Sequence, residues 1–269
     1  MVPKLEDILK ILDEMAPFLM AEEWDNSGFQ VGCFSQEIKK ILIALDPTIK
    51  AVRNASDTKA QLLLTHHPLV HKPLTNINIE AYPGDVIDEA LKKRISIVAV
   101  HTNLDVARGG INDILANLFG LDDVEVLQRS DELVDNVVGI GRIGYLPKPK
   151  KLSVVTKAIK DALGTMNLRV VGSRDTDVRR VAVVGGSGGE MAALAKKRGA
   201  DLLVTGDIGH HDALVAEALD LALIDGGHFE TERIALSLFT DHFGARLKEQ
   251  SWDVILEIYR DEKDPIRYE

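Results

Sequence analysis

The sequence has one cysteine, Cys33, in 269 residues. A single thiol cannot close an intrachain disulfide and cannot build a cysteine-based zinc site, a usage that suits a reducing compartment. Positive charge is also short: 32 Lys and Arg against 42 Asp and Glu leave a net charge of −10. That balance argues against non-specific binding to nucleic acid or an anionic membrane, where a basic face is expected. No apolar run reaches the ~20 residues that a membrane-spanning helix needs. Nor does the N-terminus have the pattern of a secretory signal, because residues 4–15 carry acids where a signal would be apolar. The expected location is the cytoplasm. Aromatic residues are few, yet at 45% hydrophobic the composition is that of an ordinary globular protein, long enough for one large domain or two small ones.

What is present begins with an amphipathic helix: Leu5, Ile8, Leu9 and Leu12 fall at helical spacing, and Pro17 bounds it. Glu23-Trp24-Asp25-Asn26-Ser27-Gly28 then reads as a turn into a strand. Trp24 by itself is more often a core filler than a platform for a ligand. Ile41–Leu45 is a buried strand ending at Asp46-Pro47, and a short helix is expected over 48–58.

The chain then repeats one design. Leu62-Leu63-Leu64-Thr65 is a strand closed by His66-His67-Pro68. Adjacent strand residues face opposite ways, so both imidazoles reach one place only if the chain turns there, as Pro68 allows. Residues 95–100 form a second strand, followed by His101-Thr102-Asn103-Leu104-Asp105 on an expected loop and a helix from Asn112 to Phe119. Asp201–Thr205 is a third, followed by Asp207 and His210-His211-Asp212. A fourth, Leu221–Ile224, ends in Asp225-Gly226-Gly227 before a helix in which His228 and Glu232 share a face, one turn apart. Seven of the eight histidines follow such runs; only His242 does not. Parallel α/β sheets bind ligands outside the carboxyl ends of their strands, and histidines placed for packing would not collect there.

Between these stretches a second α/β unit begins. Val137–Tyr145 is a glycine-punctuated strand, the Pro147 and Pro149 segment a connector, Lys151–Leu163 a helix and Leu168–Val171 a strand. Arg180–Val184 leads into Gly185-Gly186-Ser187-Gly188-Gly189, a setting that can hold a phosphate. It lacks a GK[ST] ending, and a tight turn packing helix on strand is the simpler reading.

With these motifs in view, the chain resembles the GTP cyclohydrolase 1 type 2 family, also described as Ngg-interacting-factor-three-like proteins. The resemblance spans nearly the whole length. It rests on Trp24-Asp25-Asn26-Ser27-Gly28 with Gly32, Thr65-His66-His67-Pro68-Leu69, His101-Thr102-Asn103-Leu104-Asp105, Gly141-Arg142-Ile143-Gly144, Thr205-Gly206-Asp207 with His210-His211-Asp212, and His228-Phe229-Glu230-Thr231-Glu232. It implies an α/β fold of two interlinked α/β domains, here 1–127 plus 229–269 and 128–228, with a dinuclear metal site in the cleft between them. The metal ligands implied are His66, His67, Asp105, His228 and Glu232, with His101 beside the metals rather than on them. It also implies a homohexamer, a trimer of dimers. His71 stands where the resemblance leads one to expect an apolar or aromatic residue.

Three imidazoles and two carboxylates suit two divalent transition-metal ions (zinc, manganese, iron, cobalt or nickel) better than magnesium or calcium. Two such ions can share a bridging water, lower its pKa and deliver hydroxide to an electrophilic carbon or phosphorus. The resemblance thus implies a metal-dependent hydrolase acting on GTP or a related nucleotide, with Glu232 able to bridge the ions and Asp25 or His101 as proton carrier. The alternative is a non-enzymatic, metal-binding regulatory or scaffold protein.

Overall fold

A computed structural model describes residues 2–129 and 138–267. They form two compact units, Met1–Ala107 with Leu236–Lys263, and Arg108–Ala235 with Asp264–Glu269. Each is built on one sheet, so the α/β class expected from the sequence is the class observed. No helix among the described residues is long and apolar enough to cross a membrane.

The first unit opens with helix α1 (Leu5–Met15) and holds strands β1 (Gly28–Val31), β2 (Lys40–Ala44), β3 (Leu62–Thr65), β4 (Ser96–Ala99) and β11 (Ile255–Ile258). Their order across the sheet is β1-β4-β3-β2-β11. β2, β3, β4 and β11 run parallel and β1 runs against β4. Every residue of β3 and β4 is buried, as expected for parallel strands covered on both faces. Helices α2 (Ile49–Asp57) and α3 (Gly84–Lys93) supply Val52, Ala55, Val86 and Ala90 to that core. Thr48 caps α2 by accepting a hydrogen bond from the Ala51 amide at 3.1 Å.

The second unit holds β5 (Asp122–Arg129), β6 (Gly139–Lys151), β7 (Arg169–Val171), β8 (Asp177–Ser187), β9 (Leu202–Gly206) and β10 (Ala222–Asp225), in the order β5-β6-β8-β9-β10-β7. β8, β9 and β10 are parallel; β6, β5 and β7 pair antiparallel. Its helices are α5 (Ile111–Leu118), α6 (Leu152–Leu163), α7 (Ala192–Lys197) and α8 (His210–Ala218).

Two local expectations change. The Pro147–Pro149 connector is part of β6, because the register with β8 shifts between Tyr145 and Lys150 and exempts the prolines from ladder bonding. Val137, expected at the start of that strand, lies outside the described residues. The expected loop after His101 is a short helix, α4 (Thr102–Val106). The final helix, α9, runs from His228 to Glu249, with His228 and Glu232 in its first turns as the sequence leads one to expect.

Candidate metal centre

Because β2, β3 and β4 are parallel, their carboxyl ends share one edge of the first sheet, where Asp46, His66-His67 and His101 follow them. β1 runs the other way, with Gly28 opposite Ala99, so the segment preceding β1 delivers Asp25 to the same edge. The chain turns after β3: the Thr65 hydroxyl donates to the His67 carbonyl at 2.8 Å, and the adjacent rings lie 5.2 Å apart. Both imidazoles therefore meet His101, and one ring nitrogen from each of the three lies within 4.8 Å of the others. Asp105 sits one turn of α4 beyond His101, its amide bonded to the His101 carbonyl at 3.1 Å. Its Oδ1 lies 3.7 Å from His66 Nε2. The spacing of His101 and Asp105 thus has helical meaning after all.

In the second unit β8, β9 and β10 share their carboxyl edge in the same way. Asp225 ends β10 and accepts the Gly227 amide at 3.0 Å through Oδ1. Arg169 grips the other Asp225 oxygen through Nε at 2.9 Å and donates to the Ile208 carbonyl at 2.8 Å. That clamp fixes the turn that releases His228 into the first turn of α9. His228 Nε2 then lies 3.0 Å from Glu232 Oε2, and Nδ1 lies 2.6 Å from Asp207 Oδ2. Burial would lower the His228 pKa, but the bond and charge of Glu232, with Asp207 behind, raise it to about 9.

The four histidines share one feature. His66 Nδ1 is 2.7 Å from the Val100 carbonyl, His67 Nδ1 is 2.8 Å from Asp46, His101 Nδ1 is 2.7 Å from Asp25, and His228 Nδ1 is 2.6 Å from Asp207. An oxygen acceptor at Nδ1 fixes a proton there, so Nε2 is the electron-pair donor once it gives up any proton of its own, as His228 must do to bind a metal; proteins orient metal-binding imidazoles in this way. The donor set therefore fits a transition-metal ion.

Asp25 is the most heavily bonded of these acceptors. Its fully buried carboxylate accepts Ser27 Oγ at 2.7 Å and Thr102 Oγ1 at 2.6 Å besides His101. Burial pushes its pKa up, but the bonds from His101 and Thr102 outweigh it and hold the carboxyl well below the usual carboxylate range. A depressed folded-state pKa stabilises the fold above the unfolded value of about 3.9 and loses that contribution as pH falls below it. Asp25→Asn should therefore cost about 1.5–3 kcal/mol near neutral pH, the worth of hydrogen bonds to a charged group. Thermal melts of wild type and variant should converge as pH falls from 5 towards 2; parallel curves would show that the Asp25 charge contributes nothing.

Sequence reasoning missed Asp46 as a partner of His67. The signal was available, since Asp46 ends a buried strand just as the histidines do. It also missed Glu262, whose carboxylate accepts the Leu45 and Asp46 amides, both at 2.8 Å. His71 packs against Trp24, and His210 and His211 are exposed on α8, apart from the ligand clusters. The glycine segment is no phosphate cradle at its start. Gly185 and Gly186 belong to β8, and their amides donate to Asn112 at 2.9 Å and to Thr231 Oγ1 at 3.1 Å.

Fold and donor sets together define a two-sheet α/β protein with imidazole–carboxylate clusters able to hold metal. The chain belongs to the Duf34/NIF3 (NGG1p interacting factor 3) family, whose pattern matches residues 3–265, so the family expected from the motifs is the family found. It is 35% identical to a GTP cyclohydrolase 1 type 2 homolog of Clostridium perfringens, over 98% of this chain and 99% of that one. A Helicobacter pylori protein named GTP cyclohydrolase 1 type 2 is 33% identical over 85% of this chain and 87% of its own. Among solved structures, a Bacillus cereus protein related to NIF3 superposes with a TM-score of 0.93 at 26% identity, each chain fully covered. Reduced HcgD from Methanocaldococcus jannaschii superposes at 0.83 with 29% identity, over 97% of this chain and 99% of that one.

Proposed function

We propose that the chain is a metal-dependent hydrolase acting on GTP or a related nucleotide. The observation that carries this reading is the common anchoring of Nδ1 in His66, His67, His101 and His228 by an oxygen acceptor. In this reading His66, His67, Asp105, His228 and Glu232 serve one dinuclear centre of divalent transition-metal ions, lying in the cleft between two interlinked domains. Such ions supply Lewis acidity, lowering the pKa of a water and stabilising charge that develops on a carbonyl or phosphoryl oxygen. His101, held by Asp25 through Nδ1, presents Nε2 as the site that takes a proton from the attacking water and returns it to the leaving group. The buried Asp25 carboxylate stabilises the imidazolium formed at that moment. The nucleotide substrate is supported by the names of the relatives, and assembly as a homohexamer, a trimer of dimers, by the family resemblance.

Metal analysis of the purified full-length protein, paired with assays on GTP and a panel of phosphoesters, tests this. About two ions per chain with metal-dependent turnover is the expected result. Two ions without turnover on any substrate would favour the regulatory or scaffold reading. No bound metal after adding back zinc or manganese would overturn the proposal.

A further inference from the structure

Trp24 is not a core residue: it is 59% exposed. Leaving so large an apolar ring in water forgoes burial free energy that nearby packing could have supplied. Its ring centroid lies 5.6 Å from that of His71, tilted by 59°, and 5.9 Å from that of His101, at 78°. Neither imidazole is stacked parallel to the indole, and more than half of the Trp24 surface stays open to solvent.

The chain beside His71 and the ring of His101 are both tied by polar contacts to the segment that carries Trp24. Val70, the residue before His71, accepts from Asn26 Nδ2 at 2.7 Å through its carbonyl and donates to Gln30 Oε1 at 3.1 Å through its amide. Gln30 Nε2 donates in turn to the Asn26 carbonyl at 2.6 Å. These bonds tie the His71 loop to the segment that follows Trp24. On the other side Asp25, the neighbour of Trp24, holds His101. Anchoring the chain on either side of Trp24 while leaving its ring exposed makes sense if a flat ligand covers that ring.

We propose that Trp24, flanked by His71, presents an aromatic platform that stacks the nucleobase of the substrate beside the His66–His67–His101 cluster. The nucleotide class of the ligand rests on the hydrolase reading above; the platform rests on the exposure and anchoring of Trp24. Stacking on an aromatic face tolerates any base, and the platform therefore selects for a planar heteroaromatic ring rather than for one base.

The test uses the full-length protein with Trp252→Phe, which leaves Trp24 as the sole tryptophan of the two in the chain. After EDTA treatment it is titrated with guanosine and, in parallel, with ribose. Guanosine should quench Trp24 emission saturably and ribose should not. By equilibrium dialysis, Trp24→Ala should weaken guanosine binding about tenfold or more, whereas Trp24→Phe, which keeps a stacking face, should stay within about threefold of the parent. Absence of quenching, equal quenching by ribose, or unchanged guanosine affinity in a Trp24→Ala chain with a native circular-dichroism spectrum would each overturn the platform. Because metal is removed, a failure of the hydrolase reading leaves guanosine quenching in place, and active hydrolysis without quenching overturns the platform alone.

Discussion

His66→Ala should strip most of the bound metal from the protein. His66 is fully buried, its Nδ1 is 2.7 Å from the Val100 carbonyl, and its Nε2 faces Asp105 at 3.7 Å. Loss of a partner behind a metal-binding histidine costs about 10–100-fold in affinity, and loss of the histidine itself should exceed that. The fold should survive, with a cost of about 1–3 kcal/mol for the Val100 carbonyl left without its donor. Metal content by mass spectrometry and a thermal melt separate the two effects. Full metal retention in a folded His66→Ala chain would remove His66 from the ligand set.

Gly186→Ala should damage the second ligand set, and the reason is steric. Gly186 has φ +64°, and a Cβ there would come 2.1 Å from Glu232 Oε1 and 3.5 Å from His228 Cε1. Glu232 is only 4% exposed and is paired with His228, so its carboxylate has to shift within a closed environment, straining that pair. Gly164, the C-cap of α6, provides the control: its φ is +67°, but nothing lies within 4 Å of a Cβ. Gly164→Ala should show the backbone cost alone, about 1–2 kcal/mol, with metal content unchanged. Gly186→Ala should lose at least that much stability and, in addition, a large part of its metal. Equal metal content in the two variants would mean that Glu232 tolerates displacement and is no ligand.

The strands bearing the histidines were legible because parallel, fully covered strands read as unbroken aliphatic runs. Leu62-Leu63-Leu64 and Leu202-Leu203-Val204 could hardly be anything else. The pairing of His228 with Glu232 was legible for a similar reason, since a four-residue spacing in a helix is a local geometric fact. Asp105 was harder. Its segment forms a helix of five residues, too short to show a period, so the same spacing looked like that of a loop. Glycines 185 and 186 misled because a glycine-rich run reads as a turn. In the fold, Gly186 is a strand residue made small by the carboxylate that approaches it.

By itself, the sequence determined the α/β class, the histidine-bearing strands, the imidazole and carboxylate types at their ends, and membership of the family. All of these depend on local patterns of burial and on motif order, which need no knowledge of what packs against what. Only the tertiary structure decided which oxygen holds each histidine. Asp46 lies 21 residues from His67, Asp25 lies 76 from His101, and Asp207 lies 21 from His228. Those pairings follow from strand order, above all from β1 running antiparallel beside β4, which no local pattern encodes. The exposure of Trp24 was decided in the same way. Whether a tryptophan is core or platform depends on whether another element covers it, and here Trp24 stays 59% exposed, with the rings of His71 and His101 beside it at steep angles.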